Sequence, residues 1–259
     1  MRFSPIDYLP YWGVFVVTAA LILLSFEAGF RLGIYRHQQP THEHDAPVGS
    51  IVSASLILVA FILAFTFGLA ADRFQERRAL VVDEANAIER AYLYARLLPE
   101  QTTAETRKIL KEYVDVAVET TRHPQDMKQG LARSEVLQNA LWSQAVAVSE
   151  RTADPPITAL FIQSVSQLID VRTKRVNWFV RHRIPVSIWV TLYVVTVFGM
   201  VIMGYQVGLS GARSVAPAIM LGLSFSVVIL LIAILDGPPT TFSVVNQQAL
   251  IDLQAKIAR

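Results

Sequence analysis

Residues 61–78 read FILAFTFGLAADRFQERR, an apolar run that passes into alternating charges with no proline and no turn signal between them. Nothing in this stretch stops a helix, so the spacing predicts one helix that leaves a hydrocarbon environment and carries on into water. Toward the N-terminus the apolar window extends over about 50–71, long enough for the ~20 residues that a membrane crossing needs. Toward the C-terminus, RALVVDEANAIERAYLYARLL sets Val81, Ala85, Ile88, Tyr92 and Ala95 at three- and four-residue spacing, and Pro99 ends the run.

Three further windows meet the same length criterion, at about 12–35, 186–208 and 216–235. They account for the composition: 53 % of the 259 residues are hydrophobic and only 17 % are charged, against ~25 % charged in soluble domains. Mean hydropathy is +0.41. A net charge of +2 gives no reason to expect nucleic-acid binding. With no cysteine, disulfides and thiol chemistry are excluded. The first window follows Arg2 and continues without a convincing cleavage site, which reads as a retained signal anchor. Arg73, Arg77, Arg78, Arg172, Lys174, Arg175 and Lys256 crowd one side of the spans, against Arg36 and Arg213 on the other. The positive-inside rule then places both termini and the segment 72–185 in the cytoplasm.

That segment reads as helical throughout, with nothing alternating at period two. Thr102 and Glu105 resemble a capping box opening a helix to about Thr121. His123, Pro124 and Gly130 suggest a loop, and Leu137, Leu141, Ala145 and Val148 form the stripe of the next helix. Pro155 or Pro156 suits the first turn of another, running through VSQLIDVRTKRVNWFVRHR to Pro185 and, on this reading, straight on into the third span. In the tail, 240–259, Val245, Leu250, Leu253 and Ile257 mark a short amphipathic helix docked on the cytoplasmic helices. The expected architecture is all-α and polytopic, one unit with four membrane helices and a helical region continuous with them.

Within the second window Ile57, Phe61 and Phe65 recur every four residues. Each step advances about 400°, so the three drift only ~80° and share one face. Beside them Ala60, Ala64 and Gly68 form a small-xxx-small ridge of the kind that lets membrane helices approach closely. On spacing alone the larger stripe suits a conduit lining, a lipid-facing surface or a packed core.

A resemblance narrows this. Phe65-Thr66-Phe67, Ala70, Arg73-Phe74, Glu84 through Ile88 and Leu97 through Pro99 match the signature of the bestrophin-like family of bacterial membrane proteins. LIDVRTKR, Pro185, the segment from Gly204-Tyr205 to Gly208, and QQALIDLQAKI are similar to its later landmarks, so the resemblance covers nearly the whole chain. That family resembles, more distantly, the bestrophins, pentameric ion channels whose second helix carries three hydrophobic neck residues spaced by four ahead of an Arg and an aromatic. Counting back from Arg73 and Phe74, the resemblance implies a neck of Ile57, Phe61 and Phe65. The acidic calcium clasp of animal bestrophins is missing, and DGPPTTFSVV leaves Asp236 alone where the bacterial family has Asp-x-Asp-x-Pro.

Charged residues carry both bland and functional readings. Asp72, Arg73, Glu76, Arg77 and Arg78 sum to +1 per chain at the cytoplasmic mouth, a slight lean toward anions or simply a solvated helix start. Glu27 and Arg31, four apart inside the first window, suit an intramembrane pair facing the bundle, with Gly29 and Gly33 as a close-approach face. Glu84 and Asn86 suit helix-knitting near Arg90 and Arg172 or Arg175. His42 and His44 in RHQQPTHEHD could ligate a transition metal or belong to a polar loop. No nucleotide-binding glycine pattern, nucleophile elbow or metalloprotease helix occurs.

The expectation is therefore an oligomeric, pentameric bacterial inner-membrane ion channel, not an enzyme. It needs no cofactor, and its partners are the lipid bilayer, further copies of itself and small inorganic ions. The alternative is a non-conducting scaffold whose cytoplasmic helices bind a partner. A third reading, a membrane hydrolase or metal transporter, would need the histidine-rich loop.

Overall fold

The computed structural model describes residues 10–38, 48–122, 126–151, 155–181, 184–210, 215–237 and 247–258. Among them there are eight α-helices and no strand: α1 (Tyr11–His37), α2 (Val48–Ala95), α3 (Glu100–Arg122), α4 (Met127–Arg151), α5 (Pro155–Arg181), α6 (Val186–Leu209), α7 (Val215–Asp236) and α8 (Gln248–Ala258). The chain is all-α, as its patterning predicts. The stretch 61–78 lies inside a single helix of 48 residues.

Two compact units divide the chain. The first, 1–74 with 183–243, holds α1, the first half of α2, α6 and α7. Among the described residues four helices are long and apolar enough to cross a membrane: Tyr11–His37, Val48–Ala95, Val186–Leu209 and Ala216–Asp236. Their core includes Ile22, Phe26, Val59, Leu63, Leu192, Met200, Ile229 and Ile232. Backbone contact sets the α1–α6 distance. A Cβ on Gly29 would sit 3.0 Å from Tyr205 N, and one on Gly204 would sit 2.9 Å from Phe30 N. A turn further along, a Cβ on Gly33 would lie 2.9 Å from Gly208 Cα. Lipid offers no hydrophobic gain for helix association, so close backbone packing of this kind does the work.

The second unit, 75–182 with 244–259, holds the rest of α2 with α3, α4, α5 and α8. Val81, Ala85, Ile88 and Ala95 are buried, as are Leu137, Leu141, Ala145 and Val148 on α4. Leu250, Leu253 and Ile257 of α8 are buried too, and Gln254 Nε2 donates to Asp115 Oδ1 at 2.7 Å, while Lys256 pairs with Glu89. Val245, His123 and Pro124 lie outside the described residues.

Several expectations are corrected. α3 begins at Glu100, so Thr102 is inside it and no Thr102–Glu105 box opens the helix. Pro99 instead accepts the first helical bond from Thr103 N at 2.9 Å. Thr103 Oγ1 then donates to Ala95 O and Leu98 O at 2.7 and 2.9 Å, tying the start of α3 to carbonyls at and just past the end of α2. Gly130 is no loop residue: it lies inside α4, where a Cβ would meet Thr120 Cβ at 2.8 Å. The third span does not continue α5. Ile184 and Pro185 are outside any helix, and α6 starts afresh with Pro185 as its N-cap, because proline supplies the φ of a helix start but no N–H to continue one.

Candidate functional site

Helical geometry gives α2 two faces in the first unit. Val52, Val59, Leu63, Thr66 and Ala70 are buried, and a Cβ on Gly199 of α6 would sit 2.8 Å from Val59 Cγ2. At 100° per residue, Ile57, Phe61 and Phe65 point roughly the opposite way. They are 69 %, 64 % and 55 % exposed, large apolar side chains with little cover from their own chain. Ala60 and Ala64 are exposed as well, and a Cβ on Gly68 would meet nothing within 4 Å. Among the described residues, therefore, nothing packs closely over this ridge.

The charged residues that follow are sorted by the same geometry. Asp72, Glu76 and Arg78 are exposed, Arg73 is half-buried and Arg77 is buried. Arg73 Nη1 lies 3.9 Å from Asp236 Oδ1. That carboxylate also accepts a hydrogen bond from Ile184 N at 2.9 Å. A carboxylate at the C-terminal end of α7 opposes the helix dipole, and the guanidinium and the amide compensate it. Asp236, left without a role by its motif, thus ties the start of the α6 connection to α2. The signal that could have found it is the pairing requirement for charges at membrane depth, which made Arg73 and Asp236 mutual candidates.

Glu27 and Arg31 pair at 2.8 Å, Arg31 Nε donating to Glu27 Oε1. Their side chains are 40 % and 77 % exposed, so the pair points out of the helix bundle rather than into it. The reason is the glycine face: Gly29 and Gly33 take the α6 side of α1 and turn the charged face outward. His42 and His44 lie outside the described residues. Among the described residues no group of three or more His, Cys, Asp or Glu could hold a metal ion.

In the second unit Glu84 is fully buried and gathers two arginines of α5. Arg175 Nη1 donates to Glu84 Oε2, and Arg172 Nη1 lies 3.4 Å from Glu84 Oε1. Tyr113 OH donates to Glu84 Oε1 at 3.1 Å and accepts from Gln138 Nε2 at 3.2 Å, while Arg172 Nη2 reaches Ser134 Oγ at 3.2 Å. Burial, and then the neighbouring Glu84 charge, pushes the Tyr113 phenol well above its ordinary range. The cluster draws on α2, α3, α4 and α5, so it knits the unit together. Arg90, a sequence candidate for this network, donates instead to Gln167 Oε1 at 2.6 Å, and Asn86 is exposed.

Four apolar helices of membrane-crossing length on an all-helical chain define a polytopic α-helical membrane protein. The family model of the Bestrophin-like domain matches residues 14–249. The chain belongs to that family, an ion-channel-related kind of protein, known for channels rather than enzymes. No curated protein and no solved structure matches it.

Proposed function

We propose that this protein is a passive ion channel of the bacterial inner membrane, a homo-oligomer of five copies with α2 lining the axis. Both termini and the helices between the second and third spans face the cytoplasm. The observation that carries the reading is the stripe of Ile57, Phe61 and Phe65, exposed on α2 opposite its packed face and in register with Arg73-Phe74 of the family signature. Converging copies would make a hydrophobic constriction ~12 Å long, from eight residues at 1.5 Å rise, which gates by dewetting. The open space over Gly68, beside exposed Ala60 and Ala64, supplies the surface against which a neighbouring α2 seats. The same stripe would also suit contact with acyl chains, and function separates the two.

Purified protein in planar bilayers should conduct small inorganic ions, and Phe61→Ala with Phe65→Ala should raise the single-channel current several-fold. Silence of both proteins while folded and oligomeric would overturn the reading. The scaffold alternative draws on a partly apolar groove in the second unit, lined by Arg90, Trp142, Gln163, Gln167 and Asp170. Light scattering in detergent showing a monomer or dimer would favour it.

A further inference from the structure

The residue sum at the cytoplasmic end of the neck is +1 per chain, yet the fold does not present those five charges equally. Seven residues beyond Phe65, Asp72 has turned 700° and lies within about 20° of it, some 10 Å further along the axis. Glu76, eleven residues on, has turned 1100° and returns to within about 20° on the other side. Both are exposed, and among the described residues neither makes an ion pair. On this uninterrupted helix the stripe reads Ile57, Phe61, Phe65, Asp72, Glu76.

The arginines are placed differently. Arg73 is rotated about 80° from Phe65, and its guanidinium faces Asp236, an acidic partner from α7 that offsets its charge locally. Arg77 is rotated about 120° and is buried. Arg78 is exposed but lies about 140° round the opposite flank. The charge that shares the direction of the neck residues is therefore two carboxylates and no cation. Two independent features produce this arrangement: the seven- and eleven-residue spacing, which repeats the neck direction, and the Arg73–Asp236 pair, which withdraws the nearest positive charge.

We propose, resting on the channel reading above, that the conduit selects cations over anions, with Asp72 as the specificity-determining residue and Glu76 forming a second acidic ring. Symmetric assembly turns each carboxylate into a ring at the mouth of a low-dielectric constriction, where fixed charge of one sign raises the local concentration of the opposite ion. Asp236 acts as a positioning residue that keeps Arg73 out of that ring.

The test is the reversal potential of the full-length protein in planar bilayers under a KCl gradient, on wild type, Asp72→Asn with Glu76→Gln, and Asp236→Asn. Phe61→Ala is added to each if the wild-type current is small. Wild type should favour K⁺ over Cl⁻ several-fold, and the double variant should lose most of that preference at comparable conductance. Asp236→Asn should shift the ratio toward Cl⁻ by freeing Arg73. The preference should also shrink as salt rises from 10 mM to 1 M, where the screening length falls from about 30 Å to about 3 Å. Both replaced carboxylates are exposed, so light scattering should show an unchanged oligomer. A chloride-favouring wild type, or a ratio indifferent to Asp72 and Glu76, overturns the cation proposal and leaves the channel intact. Absence of current from every folded, oligomeric variant overturns the channel and this proposal together.

Discussion

At the scale of single residues, the strongest commitments in the chain are buried charges, and Glu84 is explained by its partners. Glu84 has two guanidiniums and a phenol around it. Removing its charge leaves Arg172 and Arg175 desolvated without compensation, a loss of roughly 3–5 kcal/mol. Glu84→Gln should accordingly lower the urea midpoint of the detergent-solubilised protein sharply, whereas Glu76→Gln, at an exposed position on the same helix, should leave the midpoint nearly in place, its effect on stability being within about 0.5 kcal/mol. Tyr113 adds a pH dependence. Its folded-state proton is held more tightly than the unfolded one, so its contribution is fully present below the ordinary tyrosine value of 10.0 and is lost as pH rises beyond it. An alkaline urea series should show wild type weakening above pH 10 and Tyr113→Phe weakening less, once its lower starting stability is allowed for.

At the scale of elements, glycine position decides which helices meet. α1 and α6 touch through backbone at Gly29, Gly33, Gly204 and Gly208, whereas among the described residues nothing comes within 4 Å of a Cβ on Gly68 of α2. Gly204→Ala should therefore force α1 and α6 apart at a cost of about 1–3 kcal/mol, comparable to overpacking a core, and appear as a lower thermal midpoint. Gly68→Ala should leave that midpoint unchanged while weakening the oligomer, seen as earlier dissociation on dilution in detergent. An unchanged oligomer with Gly68→Ala would place the Ala60–Ala64–Gly68 ridge outside the copy-to-copy contact.

At the scale of the whole molecule, the proposed topology assigns the C-terminal end of α1 to the outer side of the membrane and the segment that includes α3 to the cytoplasm. The absence of native cysteine makes this directly measurable. Gln38→Cys, at the end of α1, should react with a membrane-impermeant maleimide in intact cells, and Lys108→Cys, exposed on α3, should react only after lysis. The reverse pattern would invert the orientation argued from Lys and Arg.

The helical class, the spans and the unbroken passage through 61–78 were legible in the sequence because they depend on local quantities: apolar run length, 3.6-residue periodicity and the absence of a breaker. The buried stripes of α2 and α4 followed from the same period. The Thr102–Glu105 box and the Gly130 loop were misread because a cap or a break depends on what competes for the backbone, here Pro99 and the crowding of Thr120 against α4. The pairing of Glu27 with Arg31 was readable from their spacing, but its outward direction was fixed by which side of α1 the glycines gave to α6. Asp236 and the partner sets of Arg73 and Glu84 join residues separated by 29 to 163 positions. Sequence by itself determines what each residue can offer, namely charge, volume and helical phase. Only the tertiary structure decides which charges neutralise one another and which stay exposed, because burial and Coulomb interaction depend on distances in space that chain separation does not encode.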